Sequence, residues 1–223
     1  MAVKGVAAKK SAETATAVVR GPHAERTAAM RKRLIEAAID CLNRLGYAAT
    51  TLQVVTDAAG VSRGAVLHHF PNKVDLMLAV AEYAAEKQNR LVSRLLANTV
   101  PGMDRYLAIT MATWEAMTRP PAIALHEIMV GSRSDPELGE QFPAVLENLQ
   151  KSQLEGVWEQ AQSVGITDRA AIEAMCHLHN AAMRGLSIEL HITGDRAKAD
   201  AAMRLLRSYK NDLTGDLVTK PYK

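Results

Sequence analysis

Apolar residues recur along most of the chain at the spacing of an amphipathic helix. The first clear stripe occupies positions three and four residues apart and consists of Met30, Leu34, Ala37, Ala38, Cys41 and Leu45. Charged residues fill most positions between them, which is typical of a helix with one buried face. Gly46 follows the stripe, and a glycine there commonly ends a helix. Because no later segment alternates as a strand does, the pattern predicts an all-α protein.

Two short helices joined by a glycine are predicted next. Thr50 with Gln53 fits a capping box at the start of the first helix, and Gly60 ends it. Ser62 can cap the following helix through its hydroxyl, and Pro71 limits that helix to about two turns. A short helix, a glycine turn and a capped short helix have the spacing of a helix-turn-helix.

The rest of the sequence predicts longer helices separated by proline and glycine residues. One of them begins at Lys73 and links the front of the chain to a helical body. We divide the sequence into a flexible basic arm over 1–22, an N-terminal three-helix module over 26–85 with its helix-turn-helix at about 50–69, a helical domain over 86–213 and a tail over 214–223.

Charge is unevenly distributed along the chain. Residues 1–73 contain 11 basic and 5 acidic residues, whereas residues 74–223 contain 16 and 19, so a net +6 precedes a net −3. A basic front joined to a mildly acidic body suggests a polyanion as the partner of the front.

Composition narrows the classes of protein further. No window approaches the roughly 18 unbroken apolar residues of a membrane span. Polar residues also interrupt the first 22 positions, where a secretion signal needs an apolar run. We therefore expect a cytoplasmic protein with no membrane partner. Cys41 and Cys176 lie far apart on apolar helix faces, which favours small buried hydrophobes over a disulfide or zinc pair.

The segment over 50–73 reads TTLQVVTDAAGVSRGAVLHHFPNK and resembles the DNA-binding core of the tetracycline-repressor (TetR-type) family of transcriptional regulators. The resemblance extends over about residues 26–85 and includes Leu34-Ile35-Glu36-Ala37-Ala38 and Leu45-Gly46-Tyr47. Beyond that region only length and helical character agree. The resemblance implies a homodimer that binds a pseudo-palindromic double-stranded DNA operator, most often as a repressor that a small-molecule effector releases.

The resemblance also implies roles for individual residues. It makes the third helix the recognition helix, with the bases contacted by Arg63, Gly64, Ala65 and His68. Phosphates are contacted by Thr50, Thr51, His69 and Lys73, and Ser62 caps the helix whose N-terminal end faces the backbone. Position 67 departs from the family, because Leu67 stands where a tyrosine is usual. This departure places more weight on Arg63 and His68.

A second hypothesis comes from Gly60-Val61-Ser62-Arg63-Gly64, which matches the G-x-S-x-G string of serine hydrolases. That nucleophile elbow requires a strand before the serine and an α/β sheet around it. A helix is predicted before Ser62 instead. We therefore expect no catalytic residues and no enzyme, with a serine hydrolase as the alternative.

The predicted helix from Asp168 to His191 has two apolar faces and so needs two partners. We assign the face with small residues, together with part of the last helix, to a homodimer bundle. The predicted interface residues are Ala174, Leu178, Ala181, Gly185, Ala202, Leu206 and Tyr209. The alternative is burial of both faces within one chain.

The other face, with bulky residues of neighbouring helices, is our candidate for an apolar effector pocket. The predicted lining consists of Met111, Trp114, Met117, His126, Met129, Trp158, Cys176, His179 and Met183. Taken singly, each of these residues is better explained by ordinary core packing. Cys176, His179 and Met183 are also soft metal ligands at helical spacing, but we expect no metal and no cofactor because the sequence does not bring further ligands to them.

Overall fold

The computed structural model describes residues 22–219, and within that range the chain forms nine α-helices and no strand. The helices are α1 (Pro22–Ala49), α2 (Leu52–Ala59), α3 (Arg63–His69), α4 (Lys73–Leu96), α5 (Met103–Met117), α6 (Pro120–Gly131), α7 (Pro136–Ser163), α8 (Arg169–Thr193) and α9 (Arg196–Thr219). The all-α prediction is confirmed. Residues 1–21 of the predicted arm and residues 220–223 lie outside the described residues. α9 continues through 214–219, which we had assigned to a tail.

The predicted stripe of α1 forms its buried face, with Leu34, Ala38 and Cys41 fully inaccessible to solvent. Leu45 is an exception, because it lies in the last turn and stays 46% exposed. Gly46 has φ 74° and ψ 177°, a backbone conformation that L-residues rarely adopt, and it interrupts the helix as predicted.

The core of the N-terminal module is continuous with the body. Val55 of α2 and Val66 of α3 pack with the buried face of α1, and the same cluster includes Ile128 of α6 and Phe142 of α7. Burial of these side chains therefore stabilises the attachment of the module as well as the module itself.

The body contains two further apolar clusters that involve α8 and α9. One surrounds Tyr106 of α5 and includes Ile172 and Leu217. The other surrounds Trp114 of α5 and includes Met183 and Met203. α4 connects the module to this body by packing against α5, α6 and α7. No helix of the described range is both long and apolar enough to cross a membrane.

Candidate nucleic-acid interface and internal cavity

The helix-turn-helix begins one residue later than the sequence predicts. Thr51 is the N-cap of α2, and its hydroxyl oxygen accepts a hydrogen bond from the Val54 N–H at 3.2 Å. Thr50 is fully buried, and its hydroxyl donates to the carbonyl of Gly46 at 2.7 Å. Gln53 donates to Asp57 rather than to the cap. The capping box predicted at Thr50 is therefore wrong, because that side chain closes the preceding turn.

The turn between α2 and α3 is set by a glycine and a serine. Gly60 has φ 61° and ψ 45°, and its N–H donates to the carbonyl of Asp57 at 3.1 Å. This left-handed conformation costs most other residues about 1 kcal/mol or more. Ser62 then caps α3, as predicted, by accepting a hydrogen bond from the Ala65 N–H at 3.3 Å.

One face of α3 is open to solvent, and it carries most of the predicted base contacts. Arg63, Gly64 and His68 are exposed, and Arg63 has no ion pair among the described residues. Leu67 is 40% exposed on the same helix, whereas Val66 is fully buried. An added Cβ at Gly64 meets no atom within 4 Å, so the surface there is flat. The face thus combines a free guanidinium, an imidazole and an apolar contact.

The predicted phosphate contacts divide into two groups. Thr51 is exposed and His69 is half-buried near the same end of the molecule. Thr50 and Lys73 instead point into the protein. The Lys73 ammonium donates to the carbonyl of Tyr47 at 2.8 Å and lies 3.8 Å from the centroid of the Tyr47 ring. Burial lowers the pKa of Lys73. Its ammonium therefore stabilises the fold through Tyr47, whereas we predicted a phosphate contact.

Tyr47 connects the module to the body, a role that the sequence analysis missed. Its hydroxyl donates to an Asp135 carboxylate oxygen at 2.6 Å, and its backbone N–H donates to Glu127 at 3.1 Å. Burial and the Asp135 carboxylate together raise the pKa of the Tyr47 phenol. Gly131 lies against the ring, since a Cβ built there would be 2.3 Å from the Tyr47 Cγ. The end of α1 is therefore fixed to α6 and to the start of α7.

A partly open cavity of about 360 Å³ lies between α4, α5 and α7. Val92, Ile109 and Val157 provide apolar wall, and Arg105 and Gln153 provide polar groups. Two smaller spaces of about 60 and 30 Å³ share Thr113 and Gln153 with this cavity. The space is large enough for a small organic ligand, for which pockets usually start near 300 Å³.

The predicted pocket residues are only partly brought to this region. Met117, His126 and Met129 line the 60 Å³ space, and Cys176, His179 and Met183 line the 30 Å³ space. Met111, Trp114 and Trp158 line none of the three cavities. The predicted pocket lining did not include Arg105, Thr113 and Gln153, because the prediction was based on bulky apolar residues.

Two buried groups near the smaller spaces are neutral at pH 7. Burial, with a contribution from Arg184, lowers the pKa of His126 to about 4, and its Nδ1 lies 3.3 Å from the Ser187 hydroxyl. Burial raises the pKa of the Cys176 thiol to about 11. No group of three or more His, Cys, Asp or Glu side chains arranged for a metal ion occurs in the described part of the chain.

Comparison with known proteins agrees with this geometry. Residues 34–80 match the profile of the family described as bacterial regulatory proteins, tetR family. The N-terminal module of the chain therefore resembles the DNA-binding part of the TetR family.

Curated relatives match part of the chain. The transcriptional regulator CymR of Pseudomonas putida is 41% identical over 85 residues, which cover 38% of this chain and 42% of the relative. The repressor AcnR of Corynebacterium glutamicum is 38% identical over 63 residues, which cover 28% of this chain and 34% of the relative. The chain thus spans less than half the length of these relatives.

Solved structures match nearly the whole fold. The regulatory protein TetR from Rhodobacter sphaeroides superimposes with a TM-score of 0.65 at 18% identity, covering 80% of this chain and 97% of that one. A TetR-family regulator from Cytophaga hutchinsonii gives 0.65 at 16% identity, covering 87% and 98%. The chain therefore shares its helical fold with these solved structures.

The geometry of the hydrolase alternative is not met. Helix α2 and a glycine turn precede Ser62, and residues 22–219 contain no strand. The serine hydroxyl caps α3.

The predicted dimer face is largely exposed. Ala174, Leu178, Ala181 and Gly185 form a solvent-accessible stripe on α8, and Tyr209 is 56% exposed on α9. Ala202 is half-buried.

Leu206 is only 7% exposed, because it packs into the cluster around Trp114. Its assignment to the interface is therefore wrong, whereas the neighbouring Leu205 is 55% exposed on α9.

Proposed function

We propose that the protein is a transcriptional repressor that binds a pseudo-palindromic DNA operator as a homodimer and is released by a small-molecule effector. The observation that carries this proposal is the open face of α3, which the turn at Gly60 and the cap at Ser62 hold away from the core. A seven-residue helix that presents an unpaired arginine suits the major groove.

Arg63 and His68 are the proposed readers of base edges. An arginine fork can donate two hydrogen bonds to guanine O6 and N7. Leu67 offers an apolar surface for a thymine methyl group, and the flat surface at Gly64 allows close approach to the groove wall. Thr51 and His69 are the proposed phosphate contacts, which position the module without specifying sequence.

Dimerisation is proposed through the exposed stripe of α8 and the adjoining face of α9. Leu178 and Leu205 are 58% and 55% exposed, a high exposure for two leucines on adjacent helices. Ala181 and Gly185 between them allow close approach of a partner helix. A two-fold axis at this face presents two copies of α3 to two half-sites.

The cavity between α4, α5 and α7 is the proposed effector site. α4 lines the cavity through Asn89 and Val92, and its first residue, Lys73, contacts Tyr47 in the DNA-binding module. A ligand that prefers one position of α4 can therefore shift the population of the module's orientations. Because genomic DNA is the proposed partner, we place the protein in the cytoplasm.

The test is selection of bound fragments from the host genome, followed by fluorescence anisotropy on the selected operator and on random DNA. Arg63→Ala should weaken operator binding by about 1–3 kcal/mol and relax discrimination at one base pair. Arg94→Ala, which removes an exposed arginine near the other end of α4, is the matched control and should bind as the parent does. Equal losses on operator and random DNA would remove Arg63 from base readout, and failure to select any fragment would refute the function.

A further inference from the structure

The largest polar feature of the cavity between α4, α5 and α7 is a guanidinium group without a counterion. We propose that this cavity takes a small organic monocarboxylate, and that Arg105 pairs with its carboxylate. The proposal rests on the proposed function, since it names the chemical class of the effector.

Arg105 is incompletely satisfied by the protein. One terminal nitrogen donates to the carbonyl of Thr99 at 3.1 Å, and the Nε is buried without a hydrogen-bond partner. No ion pair of Arg105 occurs among the described residues, whereas Arg169 and Arg196 each pair with carboxylates. A partly buried charge without an opposite charge is costly, so a bound carboxylate would recover interactions that the free protein lacks.

The lining of the cavity carries positive charge and no negative charge. No Asp or Glu lines the 360 Å³ cavity or the two smaller spaces that adjoin it. Arg184 lines the 60 Å³ space, and Lys210 lines the 30 Å³ space. Lys210 is 1% exposed and donates to the carbonyl of Tyr106. A lining of this charge attracts an anion and repels an organic cation.

The remaining lining fits the rest of an amphipathic acid. Val92, Ile109 and Val157 offer apolar contact on three sides, one from each of α4, α5 and α7. Gln153 offers an amide, which also pairs with Asn180 of α8 at 3.1 Å. At about 360 Å³ the cavity holds a ring or a short alkyl chain together with a carboxylate.

The test uses isothermal titration of the full chain with benzoate, 2-naphthoate and octanoate, each compared with its neutral primary amide. At least one carboxylate should bind, and it should bind about 10-fold to 100-fold more tightly than its amide. Arg105→Met keeps the length and apolar part of the side chain and should abolish that preference. Arg133→Met, at an exposed arginine beyond α6, is the matched control and should keep it.

The outcomes separate this proposal from the proposed function. Equal affinity for acid and amide, an unchanged preference in Arg105→Met, or no binding of any carboxylate at about millimolar concentration would overturn the assignment. Operator binding measured without any acid decides the regulatory function independently. A circular dichroism melt of Arg105→Met shows whether the variant is folded, and Arg105→Lys, which keeps the charge, should restore part of the preference.

Discussion

Gly131 at the end of α6 is the position where a single methyl group tests the attachment of the DNA-binding module. An ideal Cβ at Gly131 would lie 2.3, 2.5 and 2.7 Å from three ring atoms of Tyr47, well inside ordinary van der Waals contact. The ring cannot move freely, because Asp135 holds its hydroxyl and Lys73 lies against its face. We therefore expect Gly131→Ala to displace Tyr47 and to weaken these contacts.

The magnitude follows from three contributions. Overpacking a buried site costs about 1–3 kcal/mol. Complete loss of the hydrogen bond from the Tyr47 hydroxyl to the Asp135 carboxylate costs about 1.5–3 kcal/mol. The higher helix propensity of alanine offsets about 1 kcal/mol. The net expectation is a loss of about 1.5–5 kcal/mol, which lowers the Tm by roughly 3–20 °C in a chain of this size.

The assay is urea and thermal unfolding followed by circular dichroism. Gly156→Ala in the middle of α7 is the matched control, because an added Cβ there meets no atom within 4 Å. That variant should gain up to about 1 kcal/mol from reduced backbone freedom. If Gly131→Ala is as stable as Gly156→Ala, the close packing of Gly131 against Tyr47 is refuted. The cost of Gly131→Ala should also largely disappear in a Tyr47→Ala background, since the two residues are in contact.

Two further predictions concern acid stability and assembly. Because the pKa of His126 is lowered to about 4 in the folded chain, the unfolded chain binds more protons between about pH 6.5 and 4. The free energy of unfolding should therefore fall by up to about 3 kcal/mol as the pH is lowered from about 6.5 to 4. His126→Gln should reduce this fall, whereas His177→Gln, at an exposed site on α8, should not. Urea titrations at both ends of the window measure this, and an unchanged fall in His126→Gln would contradict it. Ala181→Glu should convert the proposed dimer into monomers, which light scattering measures as a halved mass. Glu173→Ala on the same helix should leave the mass unchanged. An unchanged mass for Ala181→Glu would show that the exposed stripe of α8 is not the interface.

The sequence was sufficient to predict the structure where one residue type determines the local conformation. The positive φ at Gly46 and Gly60 and the cap at Ser62 follow from steric freedom and hydrogen bonding within a few residues. These local features locate the helix-turn-helix and the open face of α3 without knowledge of the rest of the fold.

The sequence was insufficient to predict the role of a residue where that role depends on a partner far along the chain. The family resemblance makes Lys73 a phosphate contact, but its ammonium donates to the carbonyl of Tyr47, which lies 26 residues earlier. Leu205 and Leu206 differ by one position, or about 100° of rotation around α9, and only the packing of Trp114 shows which one is buried. The position of Arg105 at the cavity depends on the packing of three helices, which its own sequence surroundings do not show.

Tyr47 is the point at which the body can control the DNA-binding module. It contacts α4 through Lys73, α6 through Glu127 and the start of α7 through Asp135. α4 and α7 also line the cavity that we propose as the effector site. A ligand that changes the separation of α4 and α7 would therefore act on Tyr47 from two sides, provided that it binds the two arrangements with different affinity. The proposed coupling thus runs through α6 and α7 as well as through α4.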